Sequence, residues 1–226
     1  MLTIICPPLF SEYQRTHSAL RDLAVALAHA GQHVLRFDYR GSGDSAGELE
    51  QTAVSDWIED IALVEREGRE ISNSRVVHLV GVRAGALLAC KSAGATAAVK
   101  RVVLWDPVID GTGYVQSLRH AQAALCELSP HLGLGRAERR EAMREYAGYT
   151  LSDRMVDELS ALDARVYSNL PAGMLRVVST ESELSFPVLE VPCDMVAFQC
   201  DWDIVSNEPL MPRPVLERLV ECLTRP

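Results

Sequence analysis

The sequence predicts an α/β fold, a mostly parallel sheet of about six strands with helices on both faces. Three observations carry this. Short β-branched runs alternate with longer segments of helical periodicity. The runs are apolar at successive positions, as strands covered on both faces require. The strand-to-helix connections are short and marked by Gly and Pro.

The elements follow in order. Thr3–Cys6 reads as a strand stopped by Pro7-Pro8. His17–Ala30 sets Leu20, Leu23, Ala24, Leu27 and Ala28 at helical spacing, and Gly31 closes it. His33–Asp38 is a second strand, Thr52–Glu67 a helix with Trp57, Ile61 and Val64 on one face, and Arg75–Val80 a third strand. Ala86–Ala93 is a buried helix, and Arg101–Asp106 is a fourth strand ending at Pro107. The rhythm breaks over about 111–171, a polar, helix-rich stretch that reads as a helical cap inserted into a single domain spanning 1–226. Met174–Ser179 and Asp194–Cys200 resume the strands, and Pro214–Leu223 is a closing helix with Pro at its start.

Composition narrows the functional classes. The chain has 226 residues, 48% of them hydrophobic, enough to form a core. With 22 basic against 31 acidic residues the net charge is −9, and no basic run appears. No nucleic-acid partner is expected, because phosphate neutralisation needs clustered cations. No apolar run approaches the ~20 residues of a membrane span. The start carries no basic region or cleavage site of a secretion signal. The six cysteines form no CxxC pair or zinc spacing and read as buried free thiols. A cytoplasmic location, no metal and no cofactor are expected.

The most informative residues follow the third strand. Gly81-Val82-Arg83-Ala84-Gly85 has the strand–turn–helix context of a nucleophile elbow, G-x-S-x-G, with arginine at the centre. Arginine stays protonated and cannot attack. Phe37-Asp38-Tyr39-Arg40-Gly41-Ser42-Gly43-Asp44-Ser45-Ala46-Gly47 resembles the D-x-R-G-x-G-x-S-x-G loop of α/β-hydrolases of the serine aminopeptidase and lipase kind. With Cys6–Arg15, Gly81–Ala89 and Leu104–Val108, the chain is similar to the exosortase A system-associated hydrolase 2 group, which also carries arginine at the elbow. The resemblance covers about half the chain. It implies an α/β-hydrolase-like fold and a bacterial biosynthetic or export-associated setting. It also implies that the customary first hairpin is absent, so the exposed edge offers pairing to a second copy and a homo-oligomer is expected.

In this fold the order is nucleophile, acid, then a histidine after the last strand. The six histidines all lie at or before His131. The loop Cys200-Asp201-Trp202-Asp203-Ile204-Val205 holds no imidazole, and Glu181 or Glu183 fills the acid position without a partner. Ser42 and Ser45 read as turn-stabilising hydroxyls. Ser–His–Asp hydrolysis is therefore not expected, and the catalytic residues are left unassigned.

The candidate ligand site is Arg83 with the Leu9 and Ala84 amides, since helix N-termini favour anions. Asp106, Glu12 and His17 line the same crevice. Pro7 and Pro8, where relatives carry His-Gly, have no N–H to donate. Three readings of Arg83 stand: it binds an anionic ligand group, it satisfies an internal carboxylate such as Asp106, or it is an exposed bystander, and the first two are compatible. His78 reads as a satisfied core histidine. Asp201 with Asp203, and the Arg136–Arg144 cluster mixed with Glu138, Glu141 and Glu145, read as solvated charge. The expected function is binding of a small acyl, ester or peptide-like ligand with an anionic group near Arg83. The alternatives are a non-hydrolytic enzyme (isomerase or acyl transferase) using Asp106 or Glu12 as proton acceptor, and an interaction scaffold docking through its cap.

Overall fold

In the computed structural model, residues 1–128, 142, 144–171, 173–180, 191–202 and 208–225 are described. The strands are β1 (Leu2–Cys6), β2 (His33–Arg36), β3 (Val77–Val82), β4 (Val99–Trp105), β5 (Leu175–Ser179) and β6 (Cys193–Met195). They form one sheet in the order β2-β1-β3-β4-β5-β6, with every neighbouring pair parallel. The described helices are α1 (Phe10–His29), α2 (Val54–Ser72), α3 (Ala84–Ala93), α4 (Gly111–Leu128), α5 (Asp153–Ser160), α6 (Arg165–Ser168) and α7 (Arg213–Thr224).

Strand alternation divides the core into two layers. Ile4, Leu79, Val102, Leu104 and Val177 face one cluster, which is completed by α2, α3 and the helices between β4 and β5. Ile5, Val80, Val103, Trp105 and Val178 face the other, completed by α1 and α7. The sheet is thus covered on both sides, as the doubly apolar runs predict. No helix among the described residues is long and apolar enough to cross a membrane.

Several expectations are corrected. The first helix starts at Phe10, not near His17. Its buried face includes Glu12, Arg15 and Thr16, and these polar residues mask the apolar stripe. The third strand runs on through Gly81 and Val82, and α3 starts at Ala84. The last strand is Cys193–Met195, shorter than Asp194–Cys200. The cysteines are all free, but only Cys6, Cys90 and Cys222 are buried, and Cys193 is exposed. His78 is buried, yet its Nδ1 has no hydrogen-bond partner among the described residues, so it is not a satisfied core histidine. Glu181, Glu183, His131, Asp203 and the Arg136–Glu141 stretch lie outside the described residues.

Candidate ligand site

β1 leads into α1 on one face of the sheet and β3 into α3 on the other. The connections therefore part between these adjacent strands, the place where open α/β sheets form a crevice at the strand ends. Among the described residues five non-glycine residues have positive φ, and three of them sit past adjacent strand ends: Phe10 after β1, Arg83 after β3 and Asp106 after β4. Such backbone conformations cost of order 1–3 kcal/mol each and cluster at functional sites.

Arg83 occupies the turn apex with φ 52° and ψ −125°. Two glycines allow the turn. A Cβ on Gly81 would lie 2.5 Å from Ala86 Cα, and one on Gly85 would lie 2.2 Å from the Pro7 carbonyl oxygen. Arg83 N donates to Trp105 O at 3.0 Å, and its own carbonyl accepts from Ala86 N at 3.0 Å and Val108 N at 3.3 Å. The turn is therefore bound to the ends of β4 and α3.

The guanidinium lies largely inside the protein. Nε donates to Glu12 Oε1 at 3.0 Å, and Nη1 donates to the Asp106 main-chain oxygen at 3.1 Å. Its Cζ stands 4.9 Å from the centre of the Trp202 ring, a cation–π contact. Glu12 Oε2 accepts from Tyr114 Oη at 3.0 Å, which ties α4 to the pair. Burial, and next the Glu12 charge, push the Tyr114 phenol well above its ordinary range, so it stays a donor.

The Asp106 carboxylate is engaged elsewhere. Oδ1 accepts from Thr180 N at 2.7 Å and Ser179 Oγ at 3.2 Å; Oδ2 accepts from Thr180 Oγ1 at 2.7 Å and Trp202 Nε1 at 2.9 Å. The expected Arg83–Asp106 carboxylate pair is thereby corrected. Glu12 is the carboxylate partner, because four donors already surround that of Asp106.

Of the six candidate residues, the structure gathers Arg83, Glu12 and Asp106 into one buried cluster. Ala84 opens α3 and Leu9 immediately precedes α1. Leu9 and His17 line a neighbouring cavity of about 590 Å³, and the other four do not. Its walls are the Pro7–Phe10 arm, His17 of α1, Tyr39 of the glycine-rich loop, Trp57 of α2 and Tyr149. The loop holds itself together, with Asp44 N donating to Asp38 Oδ2 at 3.0 Å and Ser45 Oγ to Asp38 O at 2.6 Å. Tyr13 Oη donates to Asp38 Oδ1, fastening the loop to α1. Burial and the Asp38 bond push that phenol up to about 12.

The sequence reading missed Trp202, Tyr114, Thr180 and the ring-lined cavity. Trp202 had a signal, since it stands in the loop searched for an imidazole. Tyr114 and Thr180 had none, because their roles arise from contacts distant in sequence.

Structural neighbours support the fold. Est1E from Butyrivibrio proteoclasticus, whose structure is described with ferulic acid bound, shares 18% identity at a TM-score of 0.63, covering 99% of this chain and 90% of the other. An extracellular α/β-hydrolase from a Paenibacillus species shares 10% identity at 0.57, covering 98% of each chain. An α/β-hydrolase from Sphaerobacter thermophilus shares 17% at 0.52, covering 98% and 92%. No curated protein shows a significant match. A family model described as Hydrolase_4, serine aminopeptidase, S33, matches residues 10–191. With most of its length matched by that model and its sheet shared with these hydrolases, the chain belongs to the serine aminopeptidase S33 family of α/β-hydrolase-fold proteins.

Proposed function

We propose that this chain is a non-hydrolysing member of its family that binds a small acyl, ester or peptide-like ligand. One observation carries the reading: Arg83 stands at the elbow after β3, the place of the family's nucleophile, and Trp202 in the loop after β6, the place of its histidine, with Asp106 in contact with both. Arg83 and Trp202 each lack the chemistry of their place. A guanidinium is no nucleophile, and an indole N–H donates but accepts nothing, so neither residue can do the work of the Ser–His pair. Asp106 and Glu12 are poor candidates for the proton acceptor of an isomerase, because their oxygens already receive hydrogen bonds. The resemblance to the exosortase-associated group, a cytoplasmic location and the role of 111–171 as a cap belong to the same proposal.

The ligand meets the protein in the cavity that Leu9 and His17 line. An anionic group that binds the Arg83 Nε competes with the Glu12 carboxylate 3.0 Å away. That makes the internal pair the resting arrangement of Arg83.

The test is a screen of p-nitrophenyl esters of increasing acyl length. The wild type is expected to give background rates. Arg83→Ser/Trp202→His, which rebuilds Ser–His–Asp with Asp106 in place, is expected to gain about tenfold or more, short of the ~10²–10⁴ that a well-placed base supplies. Wild-type turnover that Asp106→Asn abolishes would overturn the proposal.

A further inference from the structure

We infer that Tyr149 is the specificity-determining residue of the cavity beside the Arg83 cluster: it closes one end and so limits the length of ligand the cavity admits. The inference rests on the binding role proposed above and names the residue that sets its selectivity. The cavity is a groove along α1. Phe10, Tyr13, Gln14, His17 and Ser18 line it at the i, i+3, i+4, i+7, i+8 spacing of one helical stripe. Phe10 is buried at one end of the stripe, and the other four are partly or fully open to solvent. From Phe10 to Ser18 the stripe rises about 12 Å. The glycine-rich loop, with Leu49 just beyond it, supplies a second wall. The exposed rim carries both the His17 imidazole and the Glu48 carboxylate, so no single sign of charge selects the ligand, which leaves shape to do so.

Tyr149 enters this groove from another part of the chain. Among the described residues it is the only member of 111–171 that lines the cavity. It meets α1 at the Phe10 end. Its ring centre is 5.3 Å from that of Phe10, and its Oη accepts from Gln14 Nε2 at 3.1 Å. The turn that presents it is held in place. Tyr146 N donates to Tyr149 O at 2.8 Å and Tyr149 N to Tyr146 O at 3.0 Å, around Ala147 and Gly148 at φ 51° and 85°. Two-residue turns with positive φ at both centres suit glycine, and an alanine stays there only when its surroundings impose it. Those surroundings are α4. Ala147 N donates to Leu118 O at 3.1 Å, Gly148 N to Gln122 Oε1 at 2.6 Å, and Arg119 Nη2 to Tyr146 Oη at 2.7 Å. A half-buried phenol on a braced turn, at one end of an open groove, is a stop that does not swing aside for a longer ligand.

Isothermal titration calorimetry of the full chain with the methyl esters of straight-chain acids, butanoate to decanoate, tests this. In the wild type affinity is expected to rise by up to about fourfold per added methylene and then to level off at one length. Tyr149→Ala is expected to move that limit outward by two or more methylenes, so that the longest esters bind about tenfold or more tightly than to the wild type. Tyr149→Trp is expected to move it inward, and Tyr149→Phe to leave it in place, because the ring remains when the Gln14 bond is lost. A turn that only supports the fold would instead weaken every ester by the same factor in Tyr149→Ala. That result, a limit shared by the wild type and the Ala and Trp variants, or a wild-type affinity still rising at decanoate would overturn the inference. Binding with an unmoved limit overturns only the role of Tyr149, whereas no binding of any ester to the wild type overturns the proposed function and this inference with it.

Discussion

At Glu12 and Arg83 two opposite charges share a site from which water is mostly excluded, with side chains 7% and 12% exposed. Removing one partner of such a pair leaves the other charge uncompensated, which typically costs about 3–5 kcal/mol. Glu12→Ala is therefore expected to destabilise strongly, and Glu12→Ala/Arg83→Ala to recover part of the loss. Urea unfolding of the two single variants and the double variant measures the coupling, expected within about 1–3 kcal/mol. Simple additivity would mean that Glu12 does not hold Arg83. The place of Arg83 was legible in the sequence, because Gly81 and Gly85 frame the turn. Its partner was not. Glu12 and Asp106 both come within reach of Arg83, and the choice depends on donors from Thr180 and Trp202, 74 and 96 residues beyond Asp106.

The turn between β3 and α3 works as an element because backbone packs on backbone. Gly85 lies against the β1 arm so closely that a methyl group would meet the Pro7 oxygen at 2.2 Å and Cys6 O at 2.8 Å. Neither is a side chain that can swing aside. Gly85→Ala is expected to cost about 1–3 kcal/mol or more. Gly94→Ala, whose added methyl comes no nearer than 3.8 Å to any heavy atom, is expected to stay within about 0.5 kcal/mol of the wild type. Thermal melts of the two variants provide the comparison, and equal melting points would show that the arm yields easily. Strands were the most legible elements, since β1, β3 and most of β4 are buried on both faces and read as unbroken apolar runs. The first turns of α1 were hidden for the opposite reason. Their inward positions carry Glu12, Arg15 and Thr16, whose burial depends on the site and not on hydrophobicity.

Over the whole molecule, the sheet transmits one titration into global stability. His78 lies in β3, in register with Thr3 of β1 on one side and Arg101 of β4 on the other. Arg101 is anchored, since its Nη1 donates to Cys222 O at 2.7 Å and Arg225 O at 2.6 Å at the end of α7. A buried imidazole beside a fixed cation resists protonation, and burial first, then Arg101, lowers the His78 pKa from 6.5 to about 4. Between those values the unfolded chain binds a proton that the native state does not. The contribution of neutral His78 is therefore fully present above pH 6.5 and is lost progressively as pH falls toward 4. At its limit the loss is about 3 kcal/mol. Other acidic groups add their own pH dependence, so the informative quantity is the difference from a variant without the imidazole. His78→Leu keeps an apolar strand residue against Val77 and Leu79. Urea unfolding at pH 7, 5.5 and 4 is expected to show the wild type losing more stability than His78→Leu across this window. Parallel losses in the two proteins would mean that the buried ring carries no share of the acid sensitivity, and that the carboxylate pairs of the surface account for it instead.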